Sequence, residues 1–250
     1  MQIRRWKEEH PEAEVEFSTN GVFLTEEIFI KIVESGLDLL HVHFMGVSKD
    51  YHEKAMNTKY DVVKKNLEHV LSLKVKNNYN LVINISCHRL KGASLIEWHH
   101  FAQEWKSKGA NVVLGPLWNR AGYYGEKFDE MSKGLRDNNC SPCEKPFKQI
   151  AIEHDGRIVL CSLDYEHQIK IGNIMDQSIE EIWNSPVMTH YQQSQNDQTK
   201  LEKLNLCKDC IRGGRYLLDE NILTKIVNYE IPEGISKEEY KKQLTNLDKF

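Results

Sequence analysis

The sequence predicts an α/β fold in which a parallel sheet precedes a smaller α+β domain built on a β-hairpin. In the first half, short β-branched runs alternate with amphipathic helical stretches at a step of roughly 30 residues, which is typical of βα units. In the second half, two strand-like runs flank Asp155-Gly156, a favoured hairpin turn. The predicted strands of the parallel sheet cover residues 14–18, 39–45, 80–86 and 111–117.

Helix-start and helix-stop signals lie between these strands. Thr25 is placed to cap the first helix, and the second runs over residues 60–76 with an apolar stripe at helical spacing. Ser94 and Glu97 form a capping box that starts the third helix, which stops at Gly109. We therefore expect the strands to pair in parallel, since each connection carries a helical crossover.

A loop-rich connector begins after Ala121 and separates two parts of the chain. We divide the sequence into a parallel-sheet domain (1–125), a second domain (126–220) and a charged, helical C-terminal tail (221–250). The tail is rich in Lys and Glu and is expected to be solvated.

Two further local signals lie in the second domain. Gly172 and Asn173 predict a turn. Ser178 with Glu181 predicts the capped start of a short helix.

One face of the predicted parallel sheet is unusually polar. Alternate residues such as Leu40, Val42 and Phe44 supply an apolar face for the helices, as a strand period of two requires. The opposite face collects polar residues, namely Glu14, Glu16, Ser18, Asn20, His41, His43, Asn84, Ser86 and Asn119. A packed barrel would carry branched aliphatic residues there, so this face predicts a ligand cavity. If the first strand is an edge, its glutamates simply face water.

Composition excludes several classes of protein. The 33 Lys and Arg against 37 Asp and Glu give a net charge of −4, which is unlike a nucleic-acid-binding protein. No apolar run approaches the ~20 residues of a membrane span, and the N-terminus has no signal-peptide core. We therefore expect a cytoplasmic protein with no nucleic-acid or membrane partner.

The six cysteines point to metal binding, because a chain of this length without a secretion signal does not need a disulfide scaffold. Cys143 and Cys161 lie at the outer ends of the two hairpin strands, which pairing brings together, and Cys207 and Cys210 form a CxxC. Four such thiolates suit a [4Fe–4S] cluster or a tetrahedral zinc ion. In the zinc interpretation, Cys140 and Cys143 form a second CxxC pair of ligands, and Cys161 does not bind the metal.

Three other features carry weaker hypotheses. His41 and His43 are an HxH pair that could bind a hydrolytic metal, but no carboxylate is clearly placed to complete the site. Adjacent His99 and His100 on a helix are expected at the surface, and Cys87 as a buried apolar thiol.

The second half resembles the SPASM/twitch domains that follow the barrel of radical S-adenosylmethionine (SAM) enzymes. The resemblance rests on CEKPFKQIAIEHDGRIVLC (143–161) and on the GN dipeptide and EIW helix of the continuation SLDYEHQIKIGNIMDQSIEEIWNSP. The stretch HPEAEVEFSTNGVFLTEEIFIKIVESGLDLLHVHFMG is similar to the middle of a radical SAM partial barrel. The resemblance implies an incomplete partial TIM barrel of about four parallel strands followed by a twitch-type domain.

The resemblance also implies functional residues. No cysteine follows Cys210, so the domain looks like the shorter form that holds one auxiliary [4Fe–4S] cluster. Its ligands would be Cys143, Cys161, Cys207 and Cys210, with Cys140 as an alternative ligand. Residues Ser18, Asn20, Ser86 and Asn119 would line the SAM and substrate pocket.

This sequence departs from the radical SAM pattern in its first half. It contains neither the CxxxCxxC motif that binds the SAM cluster nor a GGE-type SAM motif. We therefore expect this chain alone not to cleave SAM, and SAM with a second [4Fe–4S] cluster to act only in an intact or complemented enzyme. It would be a truncated copy or gene fragment, an expressed piece of a longer enzyme, or one half of a split enzyme.

The expected role is that of an auxiliary cluster, which transfers electrons or anchors a peptide, sugar or other small-molecule substrate. A partner chain carrying the N-terminal radical SAM half would complement it. The alternative is a non-catalytic zinc-binding interaction module.

Overall fold

The computed structural model describes residues 2–89, 91, 93–116, 119, 121–124, 126–131, 143–208, 210, 236, 238–240 and 242. The chain divides into two units, Met1–Pro116 with Asp219–Phe250, and Leu117–Leu218. The helices of the first unit are α1 (Gln2–Glu9), α2 (Glu26–Glu34), α3 (Lys49–Met56), α4 (Tyr60–Asn77) and α5 (Leu95–Ser107). Its strands are β1 (Glu16–Thr19), β2 (Leu39–His43), β3 (Val82–Arg89) and β4 (Asn111–Pro116). In the second unit lie α6 (Glu126–Met131), α7 (Lys145–Lys148), β5 (Ala151–Ile152), β6 (Arg157–Val159), β7 (Lys170–Asn173), α8 (Ile179–Trp183), α9 (Pro186–Ser194) and α10 (Gln198–Leu201).

The first unit is built on a parallel sheet with the strand order β1-β2-β3-β4, as predicted. The first strand starts later than expected, at Glu16, because the N–H of Val15 donates to a carboxylate oxygen of Asp38 at 2.7 Å. That bond occupies the N–H of Val15, whose carbonyl still accepts the N–H groups of Asp38 and Leu39, and Glu14 lies outside the strand. Within the described residues, no helix is both long and apolar enough to span a membrane.

The predicted helix starts are confirmed by side-chain caps. The Thr25 hydroxyl accepts the N–H of Ile28 at 3.4 Å, and both bonds of the Ser94/Glu97 capping box are formed. Helix α3 was not predicted. Its N-cap is Ser48, whose hydroxyl accepts the N–H of Tyr51.

Phe44 lies at the centre of the core between the sheet and its helices. It follows β2 and is fully buried, as are Leu40 and Val42 on the same face of that strand. Its ring lies 5.5 Å from that of Trp105 and 5.4 Å from that of Tyr60, measured between centroids. The apolar face predicted for the sheet is therefore the face that packs against helices.

His52 is one of the buried titratable side chains of the first unit. It is fully buried beside Phe44, with ring centroids 4.9 Å apart, and its Nε2 lies 2.9 Å from the Thr58 hydroxyl. Burial lowers the pKa of His52, because an imidazolium would lose its hydration there. The nearby Glu53 carboxylate opposes that shift but does not overcome it.

We expect the first unit to lose stability in mild acid because of His52. A histidine whose pKa is lower in the folded state binds its proton first in the unfolded chain. The free energy of unfolding should therefore fall as the pH drops below about 6.5, the ordinary pKa of histidine. Urea unfolding of His52→Gln between pH 7 and pH 5 should show a weaker pH dependence than the wild type. His100→Gln changes an exposed histidine and should keep the wild-type dependence; equal slopes for the wild type and His52→Gln would refute the assignment.

His99 is buried, contrary to the expectation that it lies at the surface. Its ring packs edge-on against that of Tyr240, 5.9 Å away, and only His100 of the pair is exposed. Tyr240 itself is buried. The contact joins segments far apart in sequence, which a local helical pattern does not reveal.

The second unit is built on an antiparallel sheet with the order β5-β6-β7. Gly156 has φ +83° in the predicted hairpin turn between β5 and β6. The turn predicted at Gly172 and Asn173 is wrong, because both residues lie in β7. Gly172 is required by packing instead: a Cβ there would lie 2.9 Å from the Ile182 side chain.

A hydrophobic core fills the second unit, and we call it the second-unit core. Its buried members are Ala121, Ile158, Leu160, Leu163, Ile171, Ile182, Met188, Tyr191, Leu201, Leu204 and Leu206. Helix α8 adds Ile182 to it and begins with the predicted Ser178/Glu181 capping box. Helix α9 adds Met188 and Tyr191.

Candidate metal centre

The polar face of the parallel sheet is assembled as expected from the strand register. Ser18, His41, Asn84 and Asn111 are lateral neighbours on four successive strands, and His43 is the neighbour of Ser86 one row further on. Side chains in register on one face of a sheet lie close together, so this arrangement gives a continuous polar surface in the first unit.

The histidines of this face have partners already. The Nε2 of His41 lies 3.2 Å from a carboxylate oxygen of Glu16, and the His43 ring stacks near that of His88 with centroids 6.2 Å apart. Among the residues that the structure describes, no three His, Cys, Asp or Glu side chains are grouped to hold a metal ion. His41 therefore has a hydrogen-bonding role, and His43 a ring contact.

The four pocket residues expected from the family resemblance occupy different environments. Ser18 and Asn20 are exposed at the carboxyl end of β1, and Ser86 is buried in β3. The Asn20 side chain accepts the N–H of Val22 at 3.1 Å, which shapes the turn after the strand. Asn119 is buried and belongs to the second unit.

Four of the cysteines lie on two segments of the second unit, and the structure does not bring any three of these described cysteines close enough together to hold a metal ion. Cys143 precedes α7 and Cys161 follows β6, while Cys207 and Cys210 lie on the turn after α10. The sulfur-bearing side chains of Cys161, Cys207 and Cys210 pack against the second-unit core. Cys140 lies outside the described residues, and the five described cysteines form no disulfide.

Cys143 and Cys161 are near enough to influence each other electrostatically. Burial raises the pKa of the Cys161 thiol, and the neighbouring Cys143 raises it further. The N–H of Leu163 opposes this by donating to the Cys161 sulfur at 3.5 Å. A bound metal ion removes this cost of ionising Cys161, because it binds the thiolate and neutralises its charge.

The loop after Cys161 is held by a buried carboxylate. Asp164 is 3% exposed and accepts the N–H groups of Gln168 and Ile169, each at 2.9 Å, while its own N–H donates to the carbonyl of Cys161. These bonds fix the backbone on which Cys161 is presented. A fixed backbone suits a cysteine that must bind a metal together with cysteines from distant segments.

The CxxC segment is folded as a tight turn. The N–H of Cys210 donates to the carbonyl of Cys207 at 3.1 Å, and the Tyr191 hydroxyl reaches the carbonyl of Asn205 at 3.5 Å. Burial, with Cys207 and Asp164 nearby, raises the pKa of Tyr191 to about 12, so the hydroxyl keeps its proton as a donor.

The side chain of Gln195 joins the two cysteine segments. Its Oε1 accepts the N–H of Cys143 at 2.9 Å, and its Nε2 lies 3.8 Å from the sulfur of Cys207. The sequence analysis did not select Gln195, because a lone glutamine carries no motif. A weak signal was available: Ser185 and Pro186 mark the start of α9, the helix that ends at Gln195.

Comparison with known proteins identifies the second unit. A family model described as an iron–sulfur cluster-binding domain, SPASM, matches residues 126–211. The match is to this domain family and covers residues 126–211, not the whole chain. The match contains both cysteine segments and agrees with the SPASM-type domain predicted from the sequence; iron–sulfur cluster binding is what the family model describes.

The fold resembles that of a solved structure, BtrN in complex with AdoMet and 2-DOIA. The TM-score is 0.51 at 22% identity, and the match covers 83% of this chain and 64% of BtrN, so the chain spans less than two thirds of that protein's length. Native anSMEcpe with bound AdoMet matches at a TM-score of 0.45 and 14% identity, over 98% of this chain and 78% of that one. No protein of curated function matches the sequence. The predicted fold, a partial barrel of parallel strands followed by a SPASM domain, is confirmed.

Proposed function

We propose that the SPASM domain holds one [4Fe–4S] cluster on Cys143, Cys161, Cys207 and Cys210, as an auxiliary centre of a radical SAM enzyme. The observation that carries this proposal is the placement of these cysteines, on two segments joined by Gln195, within a domain that matches an iron–sulfur family. Soft thiolate donors are the usual ligands of such clusters.

The thiolates and their surroundings fit this group. Cys161 is half-buried against the second-unit core, where a bare thiolate is unfavourable and water is partly excluded. When bound, the cluster supplies a one-electron carrier or an anchor for substrate. The residues of the chain hold the four thiolates, shield them and donate hydrogen bonds to their sulfurs.

We assign SAM and substrate binding to the polar face of the parallel sheet. Ser18, Asn20 and Ser86 belong to the first unit at or near the carboxyl ends of its strands, the end that binds ligands in open α/β sheets. Asn119, the fourth residue expected from the resemblance, belongs to the second unit and is left out of this assignment. The substrate would be a peptide, a sugar or another small molecule.

SAM cleavage in the radical SAM family requires a CxxxCxxC motif that this sequence lacks, so the motif would come from an N-terminal radical SAM half, on a complementing chain or in a longer form of this one. The edge of the sheet supports such a partner. Among the described strands, β1 has β2 as its one neighbour, and Phe17 on β1 is half exposed. An open strand edge of this kind is a template for pairing with another segment.

Metal analysis tests the proposal. The full chain, reconstituted anaerobically with iron and sulfide, should be brown and contain about four irons, as one cubane requires. Fewer than about three irons per chain would contradict the cluster. A colourless protein that retains one zinc ion would support the zinc-binding module instead. The reconstituted chain alone should not form 5′-deoxyadenosine from SAM, and formation of that product would contradict the need for a partner.

A further inference from the structure

Helix α9 contacts both segments that carry the cysteines. On one side, the Gln192 side-chain amide donates to the carbonyl of Pro146 at 2.9 Å. On the other, the Tyr191 hydroxyl reaches the carbonyl of Asn205. Gln195, directly after the helix, contacts both: its Oε1 accepts the N–H of Cys143 and its Nε2 lies 3.8 Å from the sulfur of Cys207.

Gln195 is held rigidly for this role. The residue is 1% exposed, and its backbone N–H caps α9 by donating to the carbonyls of Gln192 and Gln193. A buried glutamine with both ends of its amide engaged loses little further freedom when a ligand binds nearby.

The orientation of the Gln195 amide follows from the chemistry of its two neighbours. The backbone N–H of Cys143 can only donate, so the amide atom facing it must be the carbonyl oxygen. The NH₂ group then faces Cys207, and a deprotonated sulfur there can only accept. The observed orientation is therefore the one that a thiolate at Cys207 requires.

We infer that Gln195 is a positioning residue that donates an N–H···S hydrogen bond to the Cys207 ligand and raises the reduction potential of the cluster. The inference rests on the proposed function, since it concerns the same cluster. Reduction adds negative charge to the cluster and its sulfurs, and a donor fixed beside one sulfur favours the more negative state. Outer-shell bonds of this kind also strengthen metal retention by orienting the ligand.

The substitution Gln195→Glu removes the donor while keeping the shape of the side chain. A glutamate of the same shape can still accept the N–H of Cys143, but it presents an oxygen instead of an N–H to Cys207. Gln193→Glu is the matched control, because it makes the same chemical change on the exposed side of α9. Gln195→Met is a second variant, which removes the donor without adding charge.

The measurement is a redox titration of the reconstituted full chain followed by electron paramagnetic resonance. Gln195→Glu and Gln195→Met should both shift the midpoint potential to more negative values, and Gln193→Glu should leave it unchanged. Iron release to a chelator should be about tenfold or more faster in both Gln195 variants. If either Gln195 variant folds and assembles the cluster with the wild-type midpoint potential, the role of Gln195 is overturned but the cluster assignment is not. A wild-type chain that assembles no cluster would overturn the proposed function as well.

Discussion

Replacing Cys161 with alanine should remove most of the iron from the reconstituted protein, whereas replacing Cys140 with alanine should leave the iron content unchanged. This result is expected because Cys161 lies beside Cys143 at the base of the hairpin, on a backbone fixed by Asp164. A cubane that loses one thiolate exposes an iron, which is then readily lost. Iron and acid-labile sulfide, assayed after desalting under anaerobic conditions, measure the effect.

The Cys140 and Cys161 variants together separate the two metal assignments. A zinc site built from two CxxC pairs needs Cys140 and not Cys161, so it predicts the opposite pattern. Iron retained in full by Cys161→Ala would therefore contradict the ligand set proposed for the SPASM domain. A normal thermal unfolding profile for each variant would show that metal loss does not come from misfolding.

Replacing Phe44 with alanine should lower the free energy of unfolding by about 3–5 kcal/mol, the usual cost of removing a fully buried phenylalanine. The ring packs against Tyr60, His52 and Trp105 between the sheet and its helices. Its loss leaves a cavity directly beneath the strand that carries His41 and His43. Urea unfolding followed by tryptophan fluorescence measures the change, because Trp105 is in contact with the substituted site.

Phe23→Ala provides the matched control for this prediction. Phe23 is 77% exposed in the same unit, so its replacement should change the free energy of unfolding by no more than about 0.5 kcal/mol. Similar small losses for Phe23→Ala and Phe44→Ala would show that Phe44 is not at the centre of the core.

Much of the fold could be predicted because its signals are local. Thr25, the Ser94/Glu97 pair and the Ser178/Glu181 pair cap helices through bonds that span three residues, and all of these caps are formed. Strand alternation likewise identified the buried face containing Leu40 and Val42.

The wrong or missing predictions concern contacts between segments that are distant in sequence. Gly172 resembles a turn residue, but it lies in β7, where its lack of a Cβ leaves room for the Ile182 side chain from α8. His99 is buried by Tyr240, and Gln195 acts on cysteines 52 and 12 residues away in sequence. Spacing could select the cysteines, but it could not reveal the glutamine that joins their segments.

The most direct test of the account is anomalous diffraction at the iron edge from crystals of the reconstituted full chain grown without oxygen. The account predicts a single iron-containing peak bonded to the sulfurs of Cys143, Cys161, Cys207 and Cys210, with the Gln195 amide facing Cys207. A peak at the zinc edge coordinated by Cys140, with Cys161 outside the coordination sphere, would contradict it.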